Sequence, residues 1–389
     1  LVILAQILGY CRRMRALALL LVFSASAASP QGGLAERIGA AQRQGHYGEA
    51  ARLYGELIAS GSDTPEMHTN RGIMLQLAGE NQLALDELRT ALRAKPDLPG
   101  ANLFAGLAEF GLGHPNAALP LLERARHLTP ENPAPLLALG KAQTAVGDLA
   151  GALDSYRAAV SLAPRMAEAW YGAGVAARGL ADRELRLGTA ADKQKARKYL
   201  NECLAALTRA VDLAPGSARS HLLLAESLRD SGKLVEAAGE YSAAINLDPK
   251  MEAAYLGLAT GWWKAADFDH ALPPLNKVLA LDPKDPSANA MLGDILVRRG
   301  DYDGGERAAM TALAGNPRLA QAVVVMARIY LARKQPAPAI EALSRIVSED
   351  PDGSYHYLLF RAYKLSGDEA KTKAAFEDFR RVRAEKGGK

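Results

Sequence analysis

From residue 31 onward, apolar residues recur every three to four positions, which places them on one face of a helix and predicts a run of short amphipathic helices. The stretch Ala237 to Tyr255, AAGEYSAAINLDPKMEAAY, shows the unit of construction: an Ala-rich helix runs to Leu247, Asp248-Pro249 stops it, and a second amphipathic pattern begins at Met251. The same stop recurs at Pro96, Pro130, Pro164, Pro215, Pro249, Pro283, Pro317 and Pro351, with separations of 34, 34, 51, 34, 34, 34 and 34 residues. A fixed period of this length in an all-helical pattern predicts a helix-turn-helix solenoid.

Numbering each unit so that its proline is position 32 gives starts at 31, 65, 99, 133, 167, 218, 252, 286 and 320, with a terminal unit from 354 and a short tail at 386–389. Position 8 is small, as in Gly72, Gly106, Gly140, Gly174, Ala225 and Ala259, and so is position 20, as in Ala50, Ala84, Ala118, Ala152 and Ala237. Position 24 is large, as in Tyr54, Leu88, Leu122, Tyr156, Leu207, Tyr241 and Leu275, so small and large side chains interlock where helices cross. Glycine at position 15, in Gly45, Gly79, Gly113, Gly147, Gly232 and Gly300, supplies the positive φ that ends the first helix, so each unit reads helix A, glycine turn, helix B, proline stop.

On these residues the chain resembles the tetratricopeptide repeat (TPR) family over about residues 31 to 385. Trp170-x-x-Ala173-Gly174 and Leu139-Gly140 match the first part of its pattern, and Ala237-x3-Tyr241-x2-Ala244-x4-Pro249 the second. The resemblance implies an all-α, right-handed superhelical solenoid of about ten TPR helix-turn-helix units. It also implies that helix A lines a concave face, with ligands touching positions 2, 5, 6, 9, 12 and 13. Carried onto this sequence, those positions give Asn70, Ile73, Leu103, Phe104, Leu107, Phe110, Lys141, Tyr171 and Arg178, followed by Arg219, Glu226, Arg229, Trp263, Asp294 and Arg328. Phe104 and Phe110 either anchor a peptide or pack on the adjoining repeat. Trp262 falls on a core position and Trp263 on a groove position, since adjacent residues do not share a helix face. The Lys, Asn and Arg set of the chaperone-tail clamp is incomplete, so that specificity is not expected.

The 51-residue spacing between Pro164 and Pro215 exceeds the period by 17 residues, which fall around 179–197. They read as a continuation of helix A through Leu187, a turn at Gly188-Thr189-Ala190, and a lengthened helix B capped by Asp192, extending the hairpin by roughly 12 Å. The hairpin carries Lys193, Lys195, Arg197 and Lys198, and is either a solvated tip or a contact for an acidic partner or anionic lipid.

Charge and composition narrow the remaining choices. Met14 is the better start of the chain. Met14-Arg15, the apolar Ala16 to Phe23 and the small residues Ser24 to Ala28 resemble a bacterial secretory signal peptide over residues 1–28, which predicts export to the periplasm or beyond. Without Arg12, Arg13 and Arg15, 44 basic residues face 43 acidic ones, so net charge gives no reason to expect nucleic acid. Cys203 is then the one cysteine left after cleavage, which rules out an internal disulfide or a C-x-x-C site. Seven histidines read as scattered over different repeat positions, without metal spacing, nucleophile triad or phosphate loop. No cofactor, metal or catalytic residue is expected. The chain reads as a non-enzymatic scaffold for a protein or peptide, with a membrane-associated adaptor, or an accessory module of a glycan-modifying or export complex, as alternatives.

Overall fold

The computed structural model describes residues 30–386; the leader at 1–28 lies outside them. Among the described residues there are 20 α-helices, one short 3-10 segment and no strand, so the all-α reading holds. The chain divides into two compact units that meet in sequence at Pro215 and Gly216, each with five helical hairpins.

In the first unit α1 (Pro30–Gln44) pairs with α2 (Tyr47–Ala59), α3 (Pro65–Leu77) with α4 (Asn81–Ala94), and α5 (Pro99–Gly111) with α6 (Pro115–Leu128). The unit continues with α7 (Pro133–Ala145) on α8 (Leu149–Leu162) and α9 (Ala167–Leu187) on α10 (Ala190–Leu213). The second unit pairs α11 (Ala218–Asp230) with α12 (Leu234–Leu247), α13 (Glu252–Lys264) with α14 (Phe268–Leu281), and α15 (Pro286–Arg298) with α16 (Tyr302–Gly315). Its last hairpins are α17 (Ala320–Ala332) with α18 (Pro336–Ser344) and α19 (Ser354–Ser366) with α20 (Glu369–Lys386).

The turn inside each hairpin has one physical cause. The backbone must turn left-handed where helix A stops, and glycines at repeat position 15 do this with φ between 77° and 87°. The long hairpin and the last one turn at Gly188 and Gly367 instead, and in the two hairpins without a glycine Ala266 and Lys334 are forced to φ 58°. The turn between hairpins is secured from position 4 of the following helix A. Trp170 Nε1, Asn102 Nδ2 and Asn289 Nδ2 donate to the carbonyls of Pro164, Pro96 and Pro283 at 2.9, 2.8 and 3.0 Å. Carbonyls left over beyond a helix end thereby gain a donor.

The core lies between successive hairpins. Leu53, Leu88, Leu122, Leu207 and Leu275 are fully buried, seated among alanines such as Ala50, Ala84 and Ala118. A Cβ on Gly72, Gly106 or Gly174 would stand 2.5–2.6 Å from Leu88, Leu122 or Leu207, so the small residue at position 8 exists to admit the large one at position 24. The inserted residues lengthen one hairpin: α9 runs on to Leu187, Gly188 turns left-handed at φ 84°, and α10 starts at Ala190. Here the local chemistry differs from the expectation. Thr189, not Asp192, is the N-cap, and Asp192 is its reciprocal partner three residues on. Each backbone N–H donates to the other's side-chain oxygen at 3.2 Å. Leu180, Ala181 and Ala196 fill the inside of this arm.

Candidate partner-binding face

The helix A face of the first unit is apolar toward its middle. Phe104 packs from α5 onto the cluster formed with α3 and α4, beside Ile73, whereas Leu103, Leu107 and Phe110 pack toward Leu122, Ala138 and Leu139 on α6 and α7. The two phenylalanines therefore serve opposite sides of one helix, and both remain partly exposed. Asn70 is half-buried on α3, as is Tyr171 on α9, close to the buried Tyr156. Burial pushes the Tyr156 phenol up to about 12, so it stays neutral at physiological pH. Lys141 reaches from α7 to Glu168 on α9 at 2.6 Å, so its charge is already answered within the fold. Arg178 is half-buried farther along α9.

The second unit presents a charged cluster instead. Asp294 on α15 is 3% exposed and accepts from three groups: the Trp263 indole N–H at 2.9 Å, Arg298 Nε at 2.8 Å, and Arg328 on α17. Asp294, expected to touch ligand itself, is instead the buried anchor that fixes Trp263 and two guanidinium groups. Arg361 on α19 is exposed, stands near enough to act on Arg328, and has no ion-pair partner among the described residues. Burial lowers the Arg328 pKa below its ordinary value, and the like charges of Arg298 and Arg361 add to the effect although Asp294 opposes it. Two guanidinium groups thus share one carboxylate, with Arg361 as a third cation beside Arg328. Arg229 stands beside Asp230 at 3.0 Å and near Glu226, while Arg219 is exposed at the start of α11. Trp262, expected in the core, is half-buried against the His270 ring, with centroids 5.2 Å apart.

Lys193, Lys195, Arg197 and Lys198 are all exposed on α10 of the long hairpin, and only Lys195 approaches a carboxylate, Glu184 at 3.9 Å. The histidines are less scattered than they read in sequence. His68 and His221 share position 4 and pair across their own hairpins with Glu87 and Glu240, each at 2.6 Å. His46 and His114 share position 16, where each precedes helix B. Burial works against charge on His68, but the carboxylates of Glu87 and Asp63 outweigh it and raise its pKa. The carboxylates of Glu252, Asp282 and Asp285 also converge, and two of them are turn caps: Asp282 accepts from Lys284 N–H and Asp285 from Ala288 N–H. Among the described residues no helix is long and apolar enough to cross a membrane.

Comparison with known proteins agrees with this architecture. The tetratricopeptide repeat profile matches residues 39–99, 105–167, 137–202, 195–252 and 256–314, and a second profile of the same description matches 300–361. DnaJ homolog subfamily C member 3 of Mus musculus is 33% identical over 97 residues, which are 25% of this chain and 19% of that protein. Its Homo sapiens counterpart is 32% identical over the same length, so the chain spans about a fifth of these curated relatives. Among solved structures, the C-terminal part of a TPR repeat-containing protein from Cytophaga hutchinsonii superposes with a TM-score of 0.51 at 16% identity, over 66% of this chain and 98% of that one. A thermophilic TPR protein of Thermus thermophilus is 25% identical, with a TM-score of 0.39 over 51% of this chain and 100% of its own. Because these matches together cover most of residues 39–361, well over half of the chain, the chain belongs to the tetratricopeptide repeat family.

Proposed function

We propose that this protein is a non-enzymatic scaffold whose helix A faces hold protein or peptide segments, and that the segment held by the second unit carries a carboxylate. The observation that carries this reading is the excess of cations around Asp294. Arg298 and Arg328 share the one buried carboxylate of Asp294, Arg361 adds a third cation beside Arg328, and Trp263, held by the same carboxylate, adds an aromatic surface. An incoming carboxylate would relieve that imbalance through charge-assisted hydrogen bonds, which guanidinium groups favour geometrically. The apolar Phe104, Leu107 and Phe110 face supplies hydrophobic contact in the first unit. With the leader read at 1–28, the setting we assign is the cell envelope, in assembly or export.

The test is affinity capture from an envelope extract with the chain from Ala28 onward, beside a Phe104→Ala/Trp263→Ala variant and an Arg361→Glu variant. Mass spectrometry should find proteins bound by the wild type and depleted at least tenfold in both variants, with capture falling as salt rises. Equal capture by all three would remove the helix A face from consideration.

A further inference from the structure

The long hairpin bears a surface that the stacking of repeats does not use. In the other hairpins helix A is 13 residues long, as in α7 and α11, or 15 in α1, whereas α9 has 21 and its partner α10 has 24. The eight residues from Leu180 to Leu187 carry the arm roughly 12 Å beyond the usual hairpin turn. Its charged and uncharged residues are sorted by depth. At the tip, Leu187, Gly188, Thr189, Ala190 and Ala191 are exposed and uncharged, and Leu187 and Leu185 are 64% and 48% exposed. Behind the tip, Lys193, Lys195, Arg197 and Lys198 form a basic collar at about 4–12 Å along α10, with Arg183 on α9, while Arg186 sits at the tip between the two leucines. Of the three carboxylates in the arm, Asp192 is consumed in the Thr189 cap, and Glu184 is buried beside Arg183 and Lys195 at 3.3 and 3.9 Å. Asp182 alone faces solvent without such a tie.

We infer that this arm docks on the surface of an anionic lipid bilayer, its leucine tip entering the interfacial region and its basic collar meeting the headgroups. The order of polarity favours a bilayer over an acidic protein. A bilayer is apolar at depth and anionic at its rim, so an apolar end with cations one to two turns behind it matches that profile. An acidic protein surface would instead be met by charge concentrated at the tip, where this arm has leucine, glycine, threonine and alanine with Arg186 as the one cation among them. Arg186, between the two leucines, has a stem long enough to lie along the interface with its guanidinium among the headgroups. Neither leucine contributes to the buried core of the unit, so exposing them on a projecting element serves no packing purpose.

The experiment is flotation of the chain from Ala28 onward with phosphatidylcholine vesicles, with and without phosphatidylglycerol. A Leu185→Ser/Leu187→Ser variant and a Lys193→Glu/Lys198→Glu variant are compared, and thermal melts by circular dichroism confirm that both remain folded. Each basic residue near an anionic surface is worth about fivefold in partitioning, so the charge variant should lose tenfold or more. The leucine variant should lose binding as well, whereas Phe104→Ala/Trp263→Ala should float like the wild type. No flotation with phosphatidylglycerol, or flotation unchanged by both arm variants, overturns the inference. Loss in the charge variant alone, together with binding to polyglutamate, would overturn it in favour of an acidic protein.

Discussion

At the scale of single residues, the hairpins are matched by volume across repeats. For two of the three tyrosines at position 24, position 6 of the next helix A is glycine: a Cβ on Gly172 would meet the Tyr156 ring at 2.4 Å, and one on Gly257 would meet Tyr241 at 2.4 Å, whereas the residue after Tyr54 at that position is Asn70. Where position 24 is Leu122, position 6 is Ala138, and where it is Ala309 the facing residue is Val325. Gly172→Ala should therefore cost roughly 1–3 kcal/mol by overpacking. The same alanine in a Tyr156→Leu background should cost much less. A double-mutant cycle by urea denaturation measures the coupling; additive effects would show that the two positions do not sense each other. This complementarity was hidden in sequence because the paired residues lie in different repeats and neither is unusual alone.

At the scale of helices, the boundaries were legible because capping is local chemistry. Proline stops, the position 15 glycines and the overlong α9–α10 hairpin all announced themselves in the sequence. The N-cap of α10 was misplaced because Thr189 and Asp192 are both cap formers, and the spacing between them is that of a reciprocal pair in which the first residue is the cap. The turns at Ala266 and Lys334 are the weak points of this design, since a left-handed non-glycine residue costs roughly 1–2 kcal/mol. Glycine removes that cost but loses about 0.5–1 kcal/mol in chain entropy. Ala266→Gly and Lys334→Gly should each stabilise the second unit by about 0.5–1 kcal/mol. Chemical denaturation would read this as a higher midpoint with unchanged slope, and a lower midpoint would contradict the argument.

At the scale of the molecule, within each unit a hairpin contacts chiefly its sequence neighbours, so the first unit should tolerate the loss of one period. Excision of residues 99–132 joins Leu98 to Pro133 and sets Leu88 against Ala138, the partner that Leu122 has in the intact chain. The shortened protein should remain helical, with a cooperative transition at a lower midpoint; loss of cooperativity would indicate coupling beyond nearest neighbours. The sequence by itself determined the period, the helix type, the family and the place of the insertion, because helical periodicity, caps and turn residues act within a few residues of one another. Only the tertiary structure decided which face residues are already spent. Lys141 is tied to Glu168 in the next hairpin, and Trp263 and Arg328 to Asp294 from positions 31 and 34 residues away. Such pairings depend on how adjacent hairpins stack, so a position that is open to a ligand in one repeat is closed by an ion pair in another.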